Sequence, residues 1–263
     1  MLPMEHILLP TSITVEETKN AHTASLIVSP CQQGYGTTLG NALRRVLLSS
    51  LPGAAVESVK IDGVQHEFGA VEGVQEDVVE IMLNIKQMAV TSHSDDTVVL
   101  HLTKKGLGVV TAGDFEKNSD VEIVNPDLVL CTITDPKKEL RMEIVVGRGM
   151  GYVQASAKET ANLDLGTILV DSLYTPVSDV GYSVENTRVG DITDYEKLNL
   201  RIETNGTVSP KDAICQATQI LMDHFGEILQ FVQCDSTASM DLTKKHSLDE
   251  ELEGVADDEV SKE

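Results

Sequence analysis

The spacing of apolar residues changes repeatedly along the chain, and each change marks a new element. Ile13, Val15, Ala24, Leu26 and Val28 alternate with polar neighbours. That two-residue period predicts two strands of a meander within residues 11–30. The period then lengthens: Leu39, Ala42, Leu43, Val46, Leu47 and Ser50 share one helical stripe, and Asn41, Arg45 and Leu48 share another face. A helix over residues 37–50 is expected, with Thr37 or Thr38 as N-cap and Pro52-Gly53 as its stop. Apolar side chains on more than one face suit a helix held between partners. Residues 54–64 read as a strand that ends in the Asp62-Gly63 turn signal. Val74, Val78, Ile81, Met82, Ile85 and Met88 then mark a second amphipathic helix.

From residue 97 to 153 the pattern shortens to strands at 97–103, 121–124, 128–133 and 140–146, punctuated by Gly, Pro, Asn and Asp. Residues 155–168 read as a mobile loop, and strands are expected at 169–174, 180–187 and 197–204. Ser209-Pro210-x-Asp212 is a helix start with a physical logic. Serine caps, proline fits the first helical position, and aspartate favours the positive end of the dipole. The helix runs to about Val232, with Ile214, Ile220, Leu221, Phe225 and Ile228 on one broad stripe. Beyond Cys234 the periodicity is lost, and an acidic disordered tail is expected over residues 235–263. The fold class is α+β, with a β-rich middle between two mixed ends.

Composition narrows the chemistry. The 263 residues carry a net charge of −22 and only 3% aromatics, with no Trp. The core must therefore be mostly Val, Leu, Ile and Ala. There is no cluster of Lys and Arg of the kind that displaces counterions from a duplex, so strong direct DNA binding is not expected. The four cysteines form no Cys-x-x-Cys pair, so no metal or cofactor is expected. No segment approaches membrane-spanning length, and the chain reads as cytoplasmic.

Catalytic constellations are missing from the pattern. Seven scattered histidines show no ligand spacing, and His66-Glu67, if on a strand, would point to opposite faces. The run Gly34-x-Gly-x-x-x-Gly40 before a helix is one residue off the dinucleotide fingerprint and lacks a Walker lysine. A dinucleotide-binding enzyme using the Gly34–Gly40 loop is the rival reading, and it demands a parallel sheet.

The stretch Gly34-x-Gly-x-Thr-Leu-Gly-Asn-Ala-Leu-Arg-Arg-x-Leu-Leu-Ser-Ser-x-Pro-Gly53 resembles the signature of the bacterial RNA polymerase alpha subunit family. The likeness continues through Ile61-Asp-Gly-Val-x-His-Glu67, Glu72-Gly-Val-Gln-Glu-Asp77, Gly149-x-Gly-Tyr-Val153, Leu169-Val-Asp171, Tyr174-x-Pro176 and Glu203-Thr-Asn-Gly-Thr207. The resemblance implies a non-catalytic assembly scaffold within a nucleotidyltransferase, the DNA-directed RNA polymerase. It implies a discontinuous dimerisation subdomain of antiparallel strands and two long helices (1–52 and 177–234) around an inserted β-rich subdomain (53–176). It also implies a homodimer contact through Leu39, Leu43, Val46, Leu47, Ile214, Ile220, Leu221, Phe225 and Ile228. Arg45, Leu48, His66 and Glu67 would meet the beta subunit; Glu80, Lys86 and Val170 would meet beta-prime. Localisation would be cytoplasmic, with the nucleoid as part of the polymerase. Family members usually continue into a small C-terminal DNA- and activator-binding domain. Here an expected linker is the last segment, so that domain is expected to be missing or cut away.

Overall fold

The computed structural model describes residues 7, 9–158, 164–190 and 192–232. In chain order the first half contains β1 (Ser12–Glu17), β2 (Thr23–Cys31), α1 (Tyr35–Ser49), β3 (Pro52–Ile61), α2 (Val78–Ile85), β4 (Val90–Ser92), β5 (Val98–Lys105), β6 (Gly108–Thr111), β7 (Val121–Ile123) and β8 (Val129–Ile133). The second half contains β9 (Glu139–Met150), β10 (Tyr152–Val153), β11 (Thr167–Leu169), β12 (Ser172–Leu173), β13 (Val177–Val189), β14 (Ile192–Thr204) and α3 (Pro210–Phe231). Residues up to Met222 make one compact unit, and Asp223 onward belongs to a second, described here only to Val232. The expected acidic tail, residues 235–263, lies outside the described residues.

Two sheets dominate the first unit. β1, β2, β14 and β13 pair in that order, and β2 alternates as its sequence demands, burying Ala24, Leu26 and Val28. α1 lies on this sheet, and Leu43, Leu47, Leu198, Leu200 and Ile202 build the smaller core with Ala213 and Ala217. The larger sheet runs β5-β9-β3-β4-β7, with β11 added on β3. Its core is joined by Val78, Ile81 and Ile85 of α2. Every strand pair among the described residues is antiparallel.

The chain leaves the smaller core after Leu51 and returns to it at Val177. Tyr174 sits at this double crossing. Its ring lies where a Cβ on Gly149 would come within 2.9 Å, and a Cβ on Gly53 would collide with its carbonyl oxygen. The Tyr174 hydroxyl donates to Glu57 Oε1 at 2.6 Å, and burial with that bond pushes the phenol up to about 12. Lys158 donates to the Glu57 carbonyl at 2.9 Å and to Ser172 Oγ at 2.6 Å; burial lowers its pKa.

Several local expectations are corrected. α1 starts at Tyr35 behind Gly34, whose left-handed φ of 86° makes it the N-cap in place of Thr37 or Thr38. α2 covers only residues 78–85, because Asp77 caps it by accepting from the Glu80 N–H at 2.7 Å. Val74 instead bridges to Ile133. The strand expected over 54–64 starts at Pro52 and stops at Ile61, so His66 and Glu67 lie on a loop rather than a strand.

Candidate protein-docking site

α1 is two-sided because its buried stripe contains glycines. Gly36, Gly40, Leu43 and Leu47 face the sheet. A Cβ on Gly40 would come within 2.7 Å of the Tyr182 ring, and one on Gly36 within 2.9 Å of Val184. The helix therefore sits close to its strands, and its other side stays open. Asn41, Arg44 and Arg45 are exposed, and Leu48 keeps 36% of its surface while neighbouring Leu47 keeps 0%. Neither guanidinium makes an ion pair among the described residues. A planar, unpaired Arg beside an exposed Leu is a combination suited to a protein partner.

The helix N-terminus is already occupied from within. Glu196 on β14 accepts from the N–H groups of Gly34 and Gly36, each at 2.9 Å. The positive end of α1 is thus neutralised by the chain's own carboxylate. With every strand pair among the described residues antiparallel, this overturns the dinucleotide-loop reading of Gly34–Gly40.

A second cluster forms between α2 and the returning chain. Glu67, Phe68, Val79, Met82, Leu83, Lys86, Leu169, Val170 and Asp171 line one groove. Glu67, expected to meet beta, therefore shares this groove with Lys86 and Val170, expected to meet beta-prime. Val170 is only 3% exposed, and its own N–H and carbonyl are bonded within the chain, to the Glu57 carbonyl and Lys158 Nζ. Glu80 is exposed in the first turn of α2, and His66 is exposed on the preceding loop.

Asp171 organises the groove's polar edge. It accepts from Lys86 Nζ at 3.1 Å, Tyr152 OH at 2.8 Å and the Ala155 N–H at 2.9 Å. These donors, the backbone bond first, hold its carboxyl down at about 2. The Lys86 ammonium also lies over the Tyr152 ring, 5.2 Å from its centroid. Asp171, Tyr152 and Phe68, which is 83% exposed, were not singled out from the sequence. A signal existed for each: two lie inside motifs that carry the resemblance, and Phe68 follows His66-Glu67 directly.

The residues expected at a dimer contact divide by burial. Leu43 and Leu47 belong to the chain's own core and leave almost no surface for a second copy. Leu39 is exposed, and Val46, Ile214, Ile220 and Leu221 are half-buried. In the second unit Phe225 and Ile228 are 63% and 59% exposed. Among the described residues no group of three or more His, Cys, Asp or Glu is placed to hold a metal ion, and no helix is long and apolar enough to cross a membrane.

A family model described as the RNA polymerase Rpb3/RpoA insert domain matches residues 59–175. Two relatives named DNA-directed RNA polymerase subunit alpha come from Clostridium kluyveri, strains ATCC 8527 and NBRC 12016. Each is 49% identical over 211 residues, covering 80% of this chain and 67% of the relative. The chain belongs to the RNA polymerase alpha subunit family. The stretch matched by the insert-domain model contains every residue of the larger core except Val56. Arg45 and Leu48 lie outside that stretch on α1, whereas Glu67, Lys86, Val170 and Asp171 lie within it.

Proposed function

We propose that this chain is an assembly scaffold of DNA-dependent RNA polymerase that pairs with a second copy and recruits the beta and beta-prime subunits. In this reading residues 1–52 and 177–234 form the dimerisation subdomain, and 53–176 form the inserted one. The chain contributes assembly to a nucleotidyltransferase complex whose reaction centre lies in its partners. It works in the cytoplasm, on the nucleoid, as part of the polymerase.

The observation that carries the proposal is the division of α1. One face is committed to the chain's own core through Gly36, Gly40, Leu43 and Leu47, and the other leaves Arg45 and Leu48 exposed. Arg45 and Leu48, with His66 and Glu67, serve beta. Glu80, Lys86 and the Val170 segment serve beta-prime. Dimerisation uses the apolar row of α3, Ile214, Ile220, Leu221, Phe225 and Ile228, with Leu39 and Val46 of α1. Leu43 and Leu47 support that contact from behind by holding α1 on its sheet.

A two-fold dimer that meets two different large subunits binds them asymmetrically, so Arg45 is needed in one copy more than in the other. Light scattering of the purified chain, alone and with beta, tests the scaffold. The expected result is a dimer that captures beta, with Arg45→Ala losing capture and keeping the dimer. A monomer indifferent to beta overturns the proposal. Arg45→Ala placed in one copy at a time of a linked dimer tests the asymmetry, and equal losses from both positions reject it.

A further inference from the structure

Asp171 holds donors from separate parts of the chain: the C-terminal cap of α2 through Lys86, β10 through Tyr152, and the short turn at residues 155–157 through the Ala155 amide. Lys86 and Asp171 keep 31% and 37% of their side-chain surface. Ion pairs this open contribute little to stability. The arrangement does something else to Lys86. A lysine stem is long and samples many rotamers, yet here its ammonium is fixed from one side by a carboxylate and from another by an aromatic face. The carboxylate is itself held from both oxygens, because Tyr152 donates to Oδ2 and the Ala155 amide to Oδ1. The ammonium is thus oriented before any partner arrives, at the helix end where positive charge is favoured.

We infer that Asp171 is a positioning residue: with Tyr152 it pre-sets Lys86 at the edge of the groove formed by Phe68, Val79 and Leu83, so that a polymerase large subunit meets an ordered cation there. The inference rests on the proposed assignment of this face to beta-prime. Pre-ordering one long side chain corresponds to about two- to twelvefold in affinity.

The test separates the positioning from the partner assignment. In the 263-residue chain the lysines are dimethylated with carbon-13, and the Lys86 resonance, assigned through Lys86→Arg, reports the Tyr152 ring. Asp171→Asn and the milder Tyr152→Phe are then compared with wild type in that signal and in reconstitution with beta and beta-prime. The expected result is that Asp171→Asn moves the Lys86 signal toward free lysine and weakens beta-prime capture about two- to twelvefold. Tyr152→Phe shifts both in the same direction by less. In a Lys86→Met background Asp171→Asn costs nothing further. An unmoved Lys86 signal in Asp171→Asn overturns the inference, whatever the capture shows. So does wild-type capture by Asp171→Asn when Lys86→Met loses it. Wild-type capture by Lys86→Met overturns the beta-prime assignment, and a moved Lys86 signal in the same series marks that failure as one of partner, not of geometry.

Discussion

Glu196 and Gly36, 160 residues apart in sequence, meet through a 2.9 Å hydrogen bond from the Gly36 amide to the Glu196 carboxylate. The bond closes the N-terminus of α1 against β14, and the absence of a Cβ on Gly36 makes it possible: such an atom would lie 2.8 Å from Glu196 Oε2. Glu196→Ala is expected to cost about 1–2 kcal/mol, the scale of a lost helix cap. In Gly36→Ala the gain in helix propensity, about 1 kcal/mol, is offset by displacing the carboxylate and by contact with Val184. Both variants should lower the urea midpoint, and a Gly36→Ala protein more stable than wild type would refute the account.

Leu47 and Leu48 are adjacent and opposite in consequence. Leu47→Ala removes a fully buried side chain and should cost about 2–5 kcal/mol. Leu48→Ala should stay within about 0.5 kcal/mol of wild type and lose beta capture instead. Denaturation and capture measured on both variants check the division of α1 into a core face and a docking face.

The depressed carboxyl of Asp171 ties stability to acid. Its folded value of about 2 lies below the ordinary aspartate value of 3.8. The bonds to Ala155, Tyr152 and Lys86 therefore add stability above the unfolded value, and that stability is lost as pH falls through the folded one. Thermal melts between about pH 5 and pH 2 should show a wild-type decline that is shallower in Asp171→Asn. Parallel curves would refute the claim.

Tyr174 gives the opposite sign at the alkaline end. Its phenol is raised from 10.0 to about 12, so the neutral form stabilises the crossing below the unfolded value and is lost as pH rises toward the folded one. Tyr174→Phe should flatten the stability decline above about pH 10, which an alkaline melt series would reveal.

Gly53 and Gly149 make room for the same residue. Gly53→Ala drives a Cβ into the Tyr174 carbonyl, backbone that cannot step aside, and should cost about 3 kcal/mol or more. At Gly149→Ala the obstacle is the Tyr174 ring, which would have to lift from its seat near Glu57. The expected signature is a lower denaturation midpoint rescued in part by Tyr174→Leu. No rescue would place the strain elsewhere.

The legible parts of this fold were local. Ser209 accepts from the Asp212 N–H at 3.1 Å, as the four-residue pattern implies, and α3 starts at Pro210. The alternation of Ala24, Leu26 and Val28 placed β2 correctly. Leu43 and Leu47 were legible as one stripe, but Gly36 and Gly40 were not, because a hydrophobic period counts side chains and these positions are buried for lacking them. The start of α2 was misplaced because Val74 fits the helical spacing while its backbone bridges to Ile133. On the proposed docking surface, Arg45 and Lys86 rest on family resemblance, and periodicity alone shows only that α1 has a second face.

By itself the sequence determined the α+β class, most strand and helix positions, the apolar stripes and the motifs that carry family membership. All of these depend on residues a few positions apart, where backbone geometry and side-chain period act directly. Tertiary structure alone decided which carboxylate caps α1, which residues Asp171 gathers, and which leucines of α1 remain available to a partner. Glu196 and Gly36, or Lys86 and Asp171, are brought together by strand register and chain crossing, and no local period encodes a meeting across 160 or 85 residues.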